Sequence, residues 1–375
     1  MDNKIIQFLP QEEYFSPLNG GAIATWVKDF SGKLKGFQTI VFAPYSKQYF
    51  SDYKTVRARI SFLKKMGHLI KGKFGHHLIY NTYVIWGALY ARLNGIKLIH
   101  VHNRPTYIPI IRRINPNTKV ILHMHNDHVL DLNVKQIKEL NDYCDHIISV
   151  SDYIQKGILK KAKSHDVNLA SKCSVLLNGC DPKYFKKQNP SNNNSLLFIG
   201  RLTPEKGIKE LIEATIKAKE TIPDIKLLVA GSAGFGKKKD TEFVNELKDL
   251  ALKGEDCIEF LGYVEHDKVP DLFSQVALYC IPSTWNDPCP LSVIEGMASG
   301  IPMIVGNRGG IPEEVGETAL KLDCEDVEEL TKTILYSLNN KKELKQMADK
   351  AYERFTNNFT WQHVASNYQK LINQL

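Results

Sequence analysis

Short apolar runs of four to six residues alternate with helical stretches along the whole chain, and this rhythm constrains the fold more than any other feature. Strands separated by helices cannot form hairpins; they form parallel sheets with helices on both faces. In the first half the clearest strands are Lys4–Leu9, Gln38–Ala43, Ile96–Val101, Lys119–Met124 and His146–Val150, with helices over Ala22–Leu34 and Tyr83–Leu93. The second half repeats the pattern: strands Ser195–Ile199, Lys226–Ala230, Ile258–Leu261, Leu278–Ile281 and Met303–Val305, and helices Ile208–Glu220, Phe243–Lys253 and Leu291–Ala298. Between them Gln188–Asn194 (QNPSNNN) has the composition of a linker or exposed loop. The 375 residues are too many for one ordinary core and suit two. The expectation is two doubly wound α/β domains, over 1–180 and 181–358, with 359–375 forming a last helix. Ligands of such folds sit beyond the carboxyl ends of the strands, so facing domains would hold a site in the cleft between them.

Charge separates the halves. Residues 1–180 carry 25 Lys and Arg against 12 Asp and Glu, whereas 181–375 carry 24 against 29. Seven scattered cysteines, never as C-x-x-C, argue against a disulfide framework or zinc ribbon and suit a reducing compartment. No run approaches the roughly 18 apolar residues of a membrane span. The opening MDNKIIQFLP is too short in apolar residues for a secretory signal, so a cytoplasmic location is expected.

Three loop segments carry candidate chemistry. In Ile281–Pro302, a strand leads through a loop with two prolines into a helix near Leu291. Asp287 lies in that loop and Glu295 in the helix. The free amides at Leu291–Ser292 form a natural phosphate seat, although an ordinary connection with two surface acids would look the same. In Leu196–Gly207 a strand ends at Gly200, and Arg201 and Lys206 follow; fork and point charge suit a diphosphate, or are two solvated charges. Asn19-Gly20-Gly21-Ala22 stands between a strand and a helix, where glycines permit close backbone approach; it lacks the Gly-Lys-Ser/Thr of a P-loop, and Gly-Gly also marks plain turns. Gly231–Gly236 is read as a loop.

Histidines gather in the first half as His100-Val-His102 and His123-Met-His125, with His128 nearby. Each pair shares a strand face and could supply metal ligands, but no acid or cysteine set completes a site. The expectation is no metal, with His125 meeting a ligand and His100 and His123 packed. Lys54–His77 has seven basic residues and no acidic one, with Leu63, Met66, Ile70 and Phe74 at helical spacing. It reads as a basic amphipathic helix, either lying on an anionic membrane surface or packed on its own domain. No reader motif supports nucleic acid.

These residues resemble the glycogen-synthase-like retaining glycosyltransferases of GT-B architecture, of the family 4 type. The group's G-R-L-x-x-x-K-G element is matched by Gly200, Arg201, Leu202, Lys206 and Gly207. Its acid-x7-acid element falls on Asp287 and Glu295, followed by Gly296-Met-Ala-Ser-Gly-Ile-Pro302. Asn178, Gly179, Asp181 and Phe185 match its interdomain turn, and Gly309-Gly310-Ile-Pro-Glu313 its next loop. Val120–Asp127 and Gly20–Trp26 are similar to segments of lipopolysaccharide core N-acetylglucosaminyltransferases. Two departures stand out: the first acid is Asp287 instead of glutamate, and Pro288 and Pro290 replace glycines, removing amide donors.

The resemblance implies a hexosyltransferase moving N-acetylglucosamine or glucose from a UDP-sugar to a hydroxyl of a glycan or glycolipid acceptor, lipopolysaccharide core or another surface glycan. It implies retention and no metal or other cofactor; the basic stretch Lys54–His77, where it meets a membrane and is not packed on its own domain, adds peripheral residence on the inner membrane face. By it, Arg201, Lys206 and Leu291–Ser292 hold the diphosphate with Gly20 and Gly21. Glu295 takes the ribose, Asp287 a hexose hydroxyl, Tyr263 and Val264 the base, and His125 the sugar. The last helix packs on the first domain. The alternatives are a non-catalytic nucleotide-sugar-binding protein, which the prolines favour, and a nucleotide-sugar 2-epimerase; nothing marks the cofactor lysine of a pyridoxal-phosphate phosphorylase.

Overall fold

A computed structural model describes residues 4–59, 73–234 and 240–375. The chain divides into two compact units, 1–177 with 364–375, and 178–363. The first holds a seven-stranded parallel sheet. Its strands are β1 (Lys4–Phe8), β2 (Gln38–Pro44), β3 (Lys54–Ala58), β4 (Leu98–His102), β5 (Lys119–Met124), β6 (His146–Ser149) and β7 (Cys173–Val175), in the order β3-β2-β1-β4-β5-β6-β7. The second holds β8 (Ser195–Ile199), β9 (Lys226–Ala230), β10 (Ile258–Gly262), β11 (Leu278–Ile281), β12 (Met303–Gly306) and β13 (Leu320–Leu322), in the order β10-β9-β8-β11-β12-β13. All pairings within both sheets are parallel. Both units are therefore doubly wound α/β folds, as the strand–helix rhythm predicts.

Strand order reverses between β1 and β4 in the first unit and between β8 and β11 in the second. At such a point the connections leave in opposite directions and open a crevice at the carboxyl ends of the strands. The sheets are buried on both faces, which is why their strands read as continuous apolar runs: Phe8, Phe42, Tyr83 and Tyr107 pack ring against ring in the first unit, and Leu196, Phe198, Leu227, Val229 and Cys280 centre the second. Val364–Leu375 completes the first unit, where Tyr368 stacks edge-on against Phe30 and its hydroxyl lies 2.9 Å from His100 Nδ1.

The basic stretch departs from its expected form. Lys54–Ala58 is the edge strand β3, held by β2 alone, and not the start of an amphipathic helix. Arg57 lies over the Tyr49 ring at 4.3 Å, a stacking that occupies its charge on the protein itself. The helical spacing of Leu63, Met66 and Ile70 lies outside the described residues; helix Lys73–Leu93 begins beyond it and starts ten residues before the expected Tyr83.

Candidate active site

In the second unit the predicted residues gather where β8 and β11 end. After β8 the chain makes a single turn, Pro204–Lys206, and enters helix Ile208–Lys219 through Gly207, whose φ is +68°. A Cβ there would stand 1.8 Å from the carbonyl oxygen of Pro282, so only glycine lets the two loops meet. The Thr284 amide donates to the Glu205 carbonyl at 3.1 Å and locks the contact. Lys206 Nζ donates to Asp287 Oδ2. The two residues assigned to diphosphate and hexose thus form one ion pair, with 21% and 11% of their side chains exposed. Arg201 is looser: it is about half exposed, with Glu205 at 3.6 Å.

The loop from Asp287 to Pro290 is fixed from below. The Gly310 amide donates to the Asp287 carbonyl at 2.8 Å, and Asn178 Nδ2 to the Cys289 carbonyl at 2.8 Å. Cys289 Sγ donates to Glu314 Oε1 at 3.0 Å. Glu314 is fully buried; loss of solvation, with the Asp287 charge adding to it, pushes its carboxyl well above the ordinary range and favours the protonated form. Helix Leu291–Ser299 then begins at Pro290 with no side chain capping its first turn, so the amides of Leu291 and Ser292 stay available to an anion. The Glu295 carboxylate, on its second turn, meets His266, whose Nε2 lies 2.9 Å from Oε1. His266 belongs to the segment after β10 that also carries Tyr263, 58% exposed, and Val264.

In the first unit the histidines line one face of β4 and β5, His102 opposite His123 in register. Trp26, from helix Ala22–Ser31, meets them edge-on, its ring centre 4.8 Å from that of His123 and 5.5 Å from those of His102 and His125. Burial drives all four imidazoles to the neutral form, with His100 and His125 pushed down to about 3. His100, His102 and His123 each bring a ring nitrogen within 4.8 Å of the others. A zinc ion would need a bare nitrogen from each, and both nitrogens of His102 are already taken, Nε2 by Gln7 at 2.8 Å and Nδ1 by His125 at 2.9 Å. The His100 and His102 rings instead stack 15° from parallel at 4.4 Å, which sends their lone pairs side by side and not to one point.

Gly20 and Gly21 precede helix Ala22–Ser31, but their amides are engaged. Gly20 donates to the Ser16 carbonyl at 2.9 Å, and Gly21 to Glu13 Oε1 at 2.9 Å, which also accepts from Ala24. A carboxylate already occupies the place where a phosphate was expected, so a diphosphate there has to displace Glu13.

Sequence reasoning missed Gln7, Glu13, Asn103, His266 and Glu314. Asn103 follows β4 at φ +53°, a conformation asparagine tolerates better than most residues, and its position after a strand and two before a proline was the available signal. The others carry no local signal, since each acts through a partner distant in sequence.

Residues 181–354 match the family described as Glycosyl transferases group 1. The chain is 29% identical over 302 residues to the putative glycosyltransferase YtcC of Bacillus subtilis (strain 168), covering 75% of this chain and 74% of that one. It is 28% identical over 293 residues to the lipopolysaccharide 1,2-N-acetylglucosaminetransferase of Salmonella typhimurium, covering 73% and 72%. In fold it is similar to the crystal structure of Anabaena Alr3699/HepE in complex with UDP, with a TM-score of 0.75 at 18% identity over 99% of this chain and all of that one. By sequence over its second unit and by fold over nearly its whole length, the chain is similar to the GT-B glycosyltransferases of group 1.

Proposed function

We propose that the protein is a retaining glycosyltransferase that moves a hexose, N-acetylglucosamine or glucose, from a UDP-sugar to a hydroxyl of a lipopolysaccharide core or other surface glycan. One observation carries the reading: Arg201, the Lys206–Asp287 pair and the uncapped first turn at Leu291–Ser292 all stand at the carboxyl ends of β8 and β11, where strand order reverses. A departing UDP gains negative charge as the sugar becomes oxocarbenium-like. Two cations and a helix N-terminus, fixed beforehand, stabilise that charge without a divalent ion. The acceptor hydroxyl attacks C1 on the face from which the diphosphate leaves, the C1–O bond breaks, and a phosphate oxygen takes the proton. Glu295 receives the ribose hydroxyls, displacing or sharing His266. Asp287 holds a hexose hydroxyl, Tyr263 and Val264 back the base, and His125 orients the sugar.

The acceptor side rests on the first unit. Its excess of basic residues suits a phosphorylated or lipid-linked acceptor at an anionic membrane. Helix Lys73–Leu93 also exposes Ile85, Leu89 and Leu93 along one stripe, an apolar strip of the kind that can meet a membrane surface. Among the described residues no helix is long and apolar enough to cross a membrane.

The experiment is a thermal-shift screen of nucleotide sugars followed by transfer assays. A UDP-sugar at 100 times its Kd should stabilise the protein by about 2.7 kcal/mol. Transfer to a core-oligosaccharide acceptor should persist in EDTA. No shift with any nucleotide sugar overturns the reading. Pro288 and Pro290 support a second one, a nucleotide-sugar-binding protein without catalysis, because each removes an amide from the donor loop. Stabilisation by a UDP-sugar with neither transfer nor hydrolysis across acceptors would select it, and conversion of the donor alone would select an epimerase.

A further inference from the structure

We propose that Gln7 is a positioning residue that sets the tautomer of His125, acting through His102, so that His125 presents a bare Nδ1 to a ligand hydroxyl. The proposal rests on the reading above for what His125 meets; the relay itself rests on geometry and burial.

Gln7 lies near the end of β1 and is fully buried, as is His102 at the end of β4. Gln7 Oε1 stands 2.8 Å from His102 Nε2, and His102 Nδ1 stands 2.9 Å from His125 Nε2. A carbonyl oxygen only accepts, so His102 Nε2 carries the hydrogen. A neutral imidazole has one N–H, so His102 Nδ1 is bare and accepts from His125 Nε2. That uses the single hydrogen of His125 and leaves its Nδ1 as a lone pair. Burial keeps both rings neutral, which the argument requires.

The backbone of His125 is held as well. Asn103, in its left-handed conformation, accepts the His125 amide on Oδ1 at 2.6 Å and donates its own amide to the His123 carbonyl at 2.8 Å. Ring and backbone of His125 are thus set by residues of β1 and β4 and by the asparagine that follows β4. The switch point between β1 and β4 is what brings Gln7 beside His102.

The consequence is a polarity. A bare nitrogen accepts from a hydroxyl and repels a carboxylate or carbonyl oxygen, which has no hydrogen to give. The relay therefore favours a neutral hexose over a uronic acid at this position, and fixes the direction in which that hydroxyl points its hydrogen.

The test is a long-range proton–nitrogen NMR spectrum of the full chain labelled with ¹⁵N in its histidines, in which bare and protonated ring nitrogens resonate far apart. His102 and His125 are assigned by single substitution. We expect Nε2–H with bare Nδ1 at both. Gln7→Leu should leave a mixture of tautomers at His102 and His125, and Gln7→Glu, an acceptor like the amide oxygen, should restore the wild-type pattern at His102. In transfer assays Gln7→Leu should lower kcat about tenfold with little change in KM, the effect of one hydrogen bond, and Gln7→Glu should recover part of it. Nδ1–H at His125 in the wild type, or an unchanged spectrum in Gln7→Leu, overturns the relay. If the wild-type protein transfers no sugar, the glycosyltransferase reading fails while the spectrum still decides the relay; if Gln7→Leu fails to fold, the wild-type spectrum decides it alone.

Discussion

Lys206 carries one of the two cations just past β8, and its ammonium is already committed to the carboxylate of Asp287. Losing the lysine therefore has two effects that need separating. Lys206→Met strands Asp287, which keeps only 11% of its side chain in solvent, and should destabilise the second unit by about 1–3 kcal/mol. Adding Asp287→Asn removes the stranded charge and should return most of that stability. Transition-state stabilisation would not return. If Arg201 and Lys206 meet charge that grows as the diphosphate leaves, Lys206→Met and Arg201→Ala should each lower kcat by a factor of about 100–1,000. Arg201→Lys should rescue only in part, because a point charge lacks the guanidinium fork. Steady-state kinetics with donor varied at saturating acceptor, beside thermal unfolding of the same variants, tests both halves. Near wild-type kcat with only a raised KM would mean uniform donor binding, and the leaving-group role would move to the Leu291–Ser292 amides.

The elements that form this region differ in how visible they are from sequence. β8, β11 and helix Leu291–Ser299 are legible because a strand buried on both faces must be an apolar run, and because Pro290 and Gly300 punctuate the helix. The loops at Arg201, Lys206 and Asp287 follow from those ends. Edge strand β3 is not legible: one neighbour suffices to pair it, so Lys54 and Arg57 remain in it and the stretch reads as a charged helix. Nor is the support beneath the donor loop, where helix Ile311–Val315 places Glu314 under Cys289 by a contact 25 residues long in sequence. That helix supplies an element-scale prediction. Glu314 folds protonated, with its pKa raised, so stability is present below the ordinary glutamate pKa near 4.5 and is lost as pH rises above it, when the unfolded chain ionises and the folded one does not. Glu314→Gln keeps the shape and the acceptor without ionising. It should stabilise the second unit at pH 7, by at most about 3 kcal/mol at 1.4 kcal/mol per pH unit, and leave it unchanged at pH 4. An equal effect at both values, read by denaturant titration, would mean that the folded carboxyl is ionised.

At the scale of the whole molecule, the two units carry buried titrating groups of opposite pH sense. In the first, His100, His102, His123 and His125 are held neutral, with pKa values below the ordinary 6.5 and about 3 at His100 and His125. Their contribution is fully present above pH 6.5 and is lost as pH falls from there towards 3, since the unfolded chain takes up protons that the folded one refuses. Each histidine that stays neutral costs about 1.4 kcal/mol per pH unit in that window. In the second unit the contribution of Glu314 runs the other way and strengthens on acidification over the same interval. The carboxylates with lowered pKa values, Glu12 in the first unit and Glu205, Glu317 and Asp323 in the second, lie below the interval from 6.5 to 5, and His146 in the first unit, its pKa also lowered by desolvation, acts in the same sense as the four histidines. Acidification from pH 7 to pH 5 should therefore weaken residues 1–177 with 364–375 and not residues 178–363. In scanning calorimetry a transition for the first unit should move to lower temperature and separate from that of the second, which should hold its position or rise. The assignment is checked with ligand: UDP-sugar should raise the second transition, which holds the residues proposed to bind the donor, while His123→Phe should flatten the pH dependence of the first by removing one protonation site. A single transition that shifts as one between pH 7 and pH 5, with the slope unchanged in His123→Phe, would show that the units unfold together and that the buried histidines do not set the acid limit.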